Sequence, residues 1–176
     1  SVWKYLDDGS NQGTAWRQPD FDDGSWDSGP AELGYGDGNE VTTLSFGPNS
    51  NAKYPTTYFR LTFNATEVAD FSRLNIGLRR DDGAVIYLNG VEVARSGMPA
   101  GVINYLTNAN SVAGGADETT FFNLEVSADA LVEGENTLAV EIHQVSGSSS
   151  DISFDLRLDG TKSSTENPLI LSTAGS

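Results

Sequence analysis

The stretch LRRDDGAVIYLNGVEVAR, residues 78–95, decides how this chain is read. Two arginines run into two aspartates and a glycine, then come an apolar run, an Asn-Gly pair and a second run. Taken as a charged cluster, the stretch suggests chemistry. Taken as a pattern, it is a series of strands with turn residues between them. Asn89-Gly90 is a strong two-residue hairpin signal, because both central residues of a type I′ turn need positive φ. Residues 84–88 and 91–95 are therefore expected to pair antiparallel. Asp81-Asp82-Gly83 reads as a second turn, following a strand over 74–80. Most of the stretch is scaffold, and Arg79, Arg80, Asp81 and Asp82 remain for separate judgement.

Working outward, the same period of two recurs. TYFRLTFNA puts Phe59, Leu61 and Phe63 on one face and Tyr58, Arg60 and Thr62 on the other. RLNIGLRR points Leu74, Ile76 and Leu78 inward, and NTLAVEIHQ does the same with Leu138, Val140 and Ile142. DISFDLRLDG follows with Ile152, Phe154, Leu156 and Leu158. Short alternating strands separated by Gly, Asn and Asp clusters predict an all-β, two-sheet antiparallel sandwich. The best helix candidate is SADALVEG, residues 127–134, with Ser127 as N-cap and Gly134 as stop. Residues 107–120 read as a long loop. One sandwich is expected over 1–160, followed by a linker-like tail over 161–176 with room for one extra edge strand around its apolar LIL.

The chain has 176 residues and a formal net charge of −15, with 19 glycines, no cysteine and one histidine. The acidic balance argues against nucleic acid, since few cations are available to replace counterions along a phosphate backbone. It argues equally against an anionic membrane surface. No apolar run approaches the ~20 residues of a membrane-spanning helix. The chain starts at Ser1 and shows no signal peptide, so a mature, processed module is expected, secreted or surface-displayed.

Four stretches then look familiar in combination: AWRQPDFDDGSWDSGPAELGYGDG, YFRLTF, LRRDDGAVIYLNGVEVARSGMPAG and GENTLAVEIHQVSGSSSDISFDLRL. Together they resemble galactose-binding-like jelly-roll modules appended to secreted bacterial hydrolases and surface proteins. They are more loosely similar to the sugar-binding jelly roll of family 2 glycoside hydrolases. The resemblance covers roughly residues 1–160 and is specific for fold. It implies two antiparallel sheets, often a structural calcium and sometimes a carbohydrate site. Such a fold carries binding, structural and docking roles alike.

Catalytic signatures are missing. There is no GxSxG elbow, HExxH, Walker loop or GxGxxG after a strand. Most acidic pairs precede glycine, where Asp forms turns by bonding its own backbone. No catalysis is expected. Calcium suits oxygen donors on Asp-rich, Gly-rich loops. Asp7, Asp8, Asn11, Asp20, Asp22, Asp23 and Asp37 crowd the first forty residues, though without EF-hand spacing. Asp7, Asp8, Asp22 and Asp23 are the expected ligands; the alternative is turns plus surface charge.

Arg60, Arg79, Glu141 and His143 lie opposite the inward positions of their strands. In one sheet they would form a charged outer patch with Asp82 and Gln144 at its rim, and Tyr54 and Tyr105 as exposed rings nearby. That patch is either a ligand site or a cross-strand salt-bridge lattice. Trp16 and Trp26 flank turns and read as packing anchors. The expected function is a non-catalytic carbohydrate-binding accessory module of a secreted multidomain protein. The alternative is a structural module with no ligand of its own. Expected partners are a polysaccharide or oligosaccharide and neighbouring domains of the same chain, with the module itself monomeric.

Overall fold

In the computed structural model, residues 1–163 are described. The chain forms β1 (Val2–Leu6), β2 (Asp27–Pro30), β3 (Leu33–Tyr35), β4 (Thr42–Thr43), β5 (Thr56–Ala65) and β6 (Phe71–Asp81). It continues through β7 (Gly83–Leu88), β8 (Val91–Ser96), β9 (Phe122–Ser127), β10 (Gly134–His143) and β11 (Ile152–Lys162). These strands make a six-stranded sheet, β2-β1-β5-β10-β7-β8, and a five-stranded sheet, β4-β3-β11-β6-β9. Every pairing is antiparallel except β3 with β4. This is the two-sheet sandwich that the alternation predicts. Among the described residues, no helix is long and apolar enough to cross a membrane.

The apolar positions of that alternation meet between the sheets. Phe59, Ile86, Val140 and Ile142 of one sheet share a core with Ile76, Leu78, Phe154 and Leu156 of the other. Phe59 and Phe154 lie with ring centroids 4.2 Å apart, and Trp3 meets Phe154 edge-on at 4.9 Å. Each such buried side chain contributes roughly 1.5–3 kcal/mol of transfer free energy.

The Asn89-Gly90 turn forms as expected, with φ of 51° and 84°, and joins β7 to β8. The Asp81-Asp82-Gly83 turn does not form a hairpin. β6 belongs to the five-stranded sheet and β7 to the six-stranded one, so Asp82 alone carries the chain between layers. Alternation cannot distinguish these cases, because a strand entering either sheet shows the same period.

The helix expected over 127–134 is also absent: Ser127 ends β9, and a turn follows in which Leu131 N–H donates to Ala128 O. Eight residues are too few to hold a helix without strong tertiary packing. Residues 115–119 of the long loop form a short 3-10 helix. β11 continues to Lys162, two residues past the expected boundary. The edge strand considered near LIL lies outside the described residues.

A second apolar layer covers the outer side of the six-stranded sheet. Trp16, Trp26, Met98, Ile103 and Ala109, from the segments before β2 and after β8, pack on Tyr58, Val85, Tyr87 and Ala139. Trp16 and Trp26 are thus packing anchors, with Trp16 tilted on Tyr58 at 4.8 Å and edge-on to Tyr87 at 5.8 Å. This covering layer determines which polar residues are available to a partner.

Candidate functional site

The polar side chains of β5 and β10 do share a face, but the face is sealed. Arg60 pairs with Ala139 across the β5–β10 ladder, and Glu141 and His143 follow on the same side. All three are buried, as is Gln144. Arg60 donates to Asp23 Oδ2 at 2.8 Å, to Gln18 O at 3.0 Å and to Trp16 O. It thereby clamps the segment around Trp16 onto the sheet.

Glu141 accepts from the Tyr87 hydroxyl at 2.6 Å and from Arg17 at 3.4 Å, and its second oxygen is 3.3 Å from His143 Nε2. Burial pushes its carboxyl up, but the His143 ring, the Tyr87 hydroxyl and the Arg17 charge outweigh it and hold the carboxyl below its ordinary value. His143 Nδ1 is 2.7 Å from Thr107 O. That oxygen can only accept, so Nδ1 carries the proton. Burial also pushes the Tyr58 hydroxyl up to about 12. Under this covering layer the face is an internal network holding loops to a sheet.

Arg79 is not part of this face. It lies on β6 in the other sheet, because the chain changes layers at Asp82. Its guanidinium pairs with Glu32, donates to Thr119 O at 3.1 Å and packs 4.8 Å from the Phe121 ring. Asp82 is not at a rim either: it is fully buried, and its carboxylate accepts from Ala113 N, Val145 N and Ser149 Oγ at 2.8–3.1 Å. Gln144 donates to the Tyr35 hydroxyl and to Asp151 O. The two expected exposed rings are half-buried. Tyr105 donates to Gly9 O at 2.6 Å, and Tyr54 packs where a Cβ on Gly9 or Gly47 would lie.

The four expected calcium ligands do not converge. Asp7 accepts from Ser45 N, Asp8 from Ser10, Asp22 from Gly24 N, and Asp23 from Arg60. Three of these are loop and turn bonds and the fourth is an ion pair. Among the described residues, three carboxylates do meet elsewhere: Asp81, Glu118 and Asp151 bring oxygens within 4.8 Å of one another. Asp81 ends β6 and is buried, with neither carboxylate oxygen hydrogen-bonded. Burial, then Asp82, Asp151 and Glu118, push its carboxyl up to about 9.

The sheet face left open is the outer side of the five-stranded sheet. There Asp155 of β11 is in register with Arg79, Arg157 with Gly77, and Asp159 with Asn75 of β6. Asn123 and Glu125 of β9 continue the rows beside Gly77 and Asn75. Arg157 lies 3.9 Å from the centroid of Phe121, so two guanidiniums share that ring. Sequence reasoning singles out Arg79 on this face and misses Arg157 and Asn123, although their alternation with Leu156 and Leu124 marks them as outward.

No family model and no curated protein sequence matches the chain. Solved structures do share its fold. A Bacteroides uniformis β-glucuronidase 2 matches over 92% of this chain and 17% of its own, with 16% identity and a TM-score of 0.54. A second Bacteroides uniformis β-glucuronidase structure matches over 90% and 17%, with 18% identity and a TM-score of 0.54. A Bifidobacterium dentium β-glucuronidase matches over 81% and 19%, with 18% identity and a TM-score of 0.52. The chain shares the two-sheet β-sandwich fold of these domains. It spans under a fifth of the length of these enzymes, so the match is to one domain-sized part of each.

Proposed function

We propose that this chain is a non-catalytic carbohydrate-binding accessory module of a secreted multidomain protein, contacting glycan through the outer side of its five-stranded sheet. One observation carries this reading. That side presents Asn75, Asn123, Asp155 and Arg157 as a row of hydrogen-bonding groups beside the Glu32-paired Arg79, while the corresponding side of the other sheet is closed by Trp16, Trp26 and Met98. Amide, carboxylate and guanidinium groups at fixed spacing on a rigid sheet suit the hydroxyls of a neutral sugar chain, and the fold recurs within glycosidases. Binding by one such module is weak, and tethering to an enzyme raises its effect through local concentration.

The test is a glycan-array scan followed by affinity electrophoresis with Arg157→Ala and Asn123→Ala. Both residues are exposed, so the variants should fold. Retention on one polysaccharide class, weakened at least about fivefold by either change, supports the site; a contact loss of about 1 kcal/mol has that size. Silence across the array, or retention unaffected by both changes, overturns it.

A second reading has its own observation. Val102, Leu106 and Val112 stand exposed in the segment between β8 and β9. A structural module packed on a neighbouring domain would cover such apolar side chains, and silence on the array shifts the weight to that role.

A further inference from the structure

We propose that Asp81, Glu118 and Asp151 form a calcium site at the corner where the chain passes from the five-stranded to the six-stranded sheet. The three carboxylates come from three separate pieces of chain: the end of β6, the 3-10 helix over Gly115–Thr119, and the residue before β11. They bring oxygens within 4.8 Å of one another. An ion with calcium's bond length of about 2.3–2.6 Å touches two oxygens up to roughly 5 Å apart.

Convergence of acidic groups is common on acidic proteins and proves nothing alone. The second observation is Asp81 itself. It is 1% exposed, and among the described residues neither carboxylate oxygen has a hydrogen-bond partner. Its neighbour Asp82, equally buried, accepts three hydrogen bonds. The corner therefore supplies donors to one carboxylate and withholds them from the next. Among the described residues, no ion pair involves Asp81, Glu118 or Asp151. A buried carboxylate without donors or a cation is costly unless something compensates it.

Asp37 extends the same corner. Its Oδ2 accepts from Ser153 Oγ at 3.2 Å, on the residue in register with Asp81. The β3–β4 segment reaches this place because Gly36 adopts φ 111° against Asp151, where a Cβ would come within 2.5 Å of the Asp151 Cβ. All-oxygen, carboxylate-rich surroundings select a hard cation. A calcium ion here would tie the end of β6, the residue before β11 and the 3-10 turn of the long loop together, which gives it a stabilising role.

The experiment is calorimetric titration of the chelator-treated chain with CaCl2 and, separately, MgCl2, with melting curves in parallel. One calcium per chain, binding at least tenfold tighter than magnesium and raising Tm by several degrees, is expected. Asp81→Asn should abolish the calcium-dependent shift yet melt no lower than the parent in chelator, since the amide keeps the size and shape of the carboxyl. Glu118→Gln, which is partly exposed, should weaken binding at least tenfold, whereas Asp22→Asn in its exposed turn should leave it unchanged. Absence of saturable heat, magnesium binding as tight as calcium, or equal calcium affinity in parent, Asp81→Asn and Glu118→Gln would each overturn the proposal. In those cases Asp81 is held neutral by a proton.

Discussion

Arg60→Met tests whether the covering layer is fastened to the sheet by charge as well as by apolar contact. The guanidinium makes three contacts to the incoming segment: Asp23 at 2.8 Å, Gln18 O at 3.0 Å and Trp16 O. Methionine keeps most of the aliphatic stem, so little packing is lost. What changes is the fate of three acceptors. Each hydrogen bond to a charged group contributes about 1.5–3 kcal/mol, and a buried acceptor left alone costs about 1–3 kcal/mol. The Asp23 side chain is 24% exposed and recovers some hydration, whereas the Arg60 side chain is 2% exposed and its backbone acceptors sit beside the buried Trp16.

Summing with that discount, Arg60→Met should lose about 3–4 kcal/mol, in the range found for breaking a buried pair from one side. For a chain of this length each kcal/mol shifts Tm by about 2–4 °C, giving a fall of roughly 6–16 °C. Urea unfolding followed by tryptophan fluorescence measures it, because Trp16 and Trp26 lie in the layer being released. Asp23→Asn alone should cost only about 1 kcal/mol, since it removes one contact of three at a hydrated position. A loss below about 1 kcal/mol for Arg60→Met would show that apolar packing alone holds the layer, and the clamp argument would fail.

Two further outcomes follow from the same structure. Glu141 is held below its ordinary pKa in the folded chain, so its contribution is present above the unfolded value near pH 4.5 and is lost as pH falls through the lower folded value. The Tm difference between the parent and Glu141→Gln should therefore shrink below about pH 4; parallel melting profiles from acid to neutral pH would refute the coupling. Asn136 is fully buried, receives a bond from Val132 N and donates to Val132 O and Gly134 O, and it also receives one from Asn89. Asn136→Ala should cost about 2–4 kcal/mol through these orphaned groups, and a denaturation midpoint close to the parent would contradict it.

The strands are legible in the sequence because burial between two sheets writes itself at every second residue. Phe59, Ile76, Val140 and Phe154 occupy the core that their alternation marks. The Asn89-Gly90 turn is legible because few pairs tolerate two successive positive φ values. Asp82 misleads for a related reason: Asp-Gly suits a hairpin, yet a one-residue passage between layers uses the same residues. No local rule separates them, since the difference lies in which distant strand each neighbour finds.

The polar residues are harder for a physical reason that bears on how this fold acquires function. Outward on a strand means away from one core, and it says nothing about a second layer on the other side. Tyr58, Val85, Tyr87 and Ala139 put apolar surface on the outer face of the six-stranded sheet, and that surface is what draws in Trp16, Trp26 and Met98. Once the layer is there, Arg60, Glu141 and His143 must be satisfied internally, and they are bound to Asp23, Arg17, Tyr87 and Thr107. Burial thus turns a set of candidate ligand groups into fasteners. The five-stranded sheet has no such apolar row: Asn75, Gly77 and Arg79 face Asp159, Arg157 and Asp155 across the ladder. On that side, among the described residues, only the ring of Phe121 lies over the ladder, against Arg79 and Arg157. The hydrogen-bonding surface of the module and Asp81, the buried carboxylate left without donors among the described residues, therefore both belong to the sheet that the chain covers with little more than Phe121.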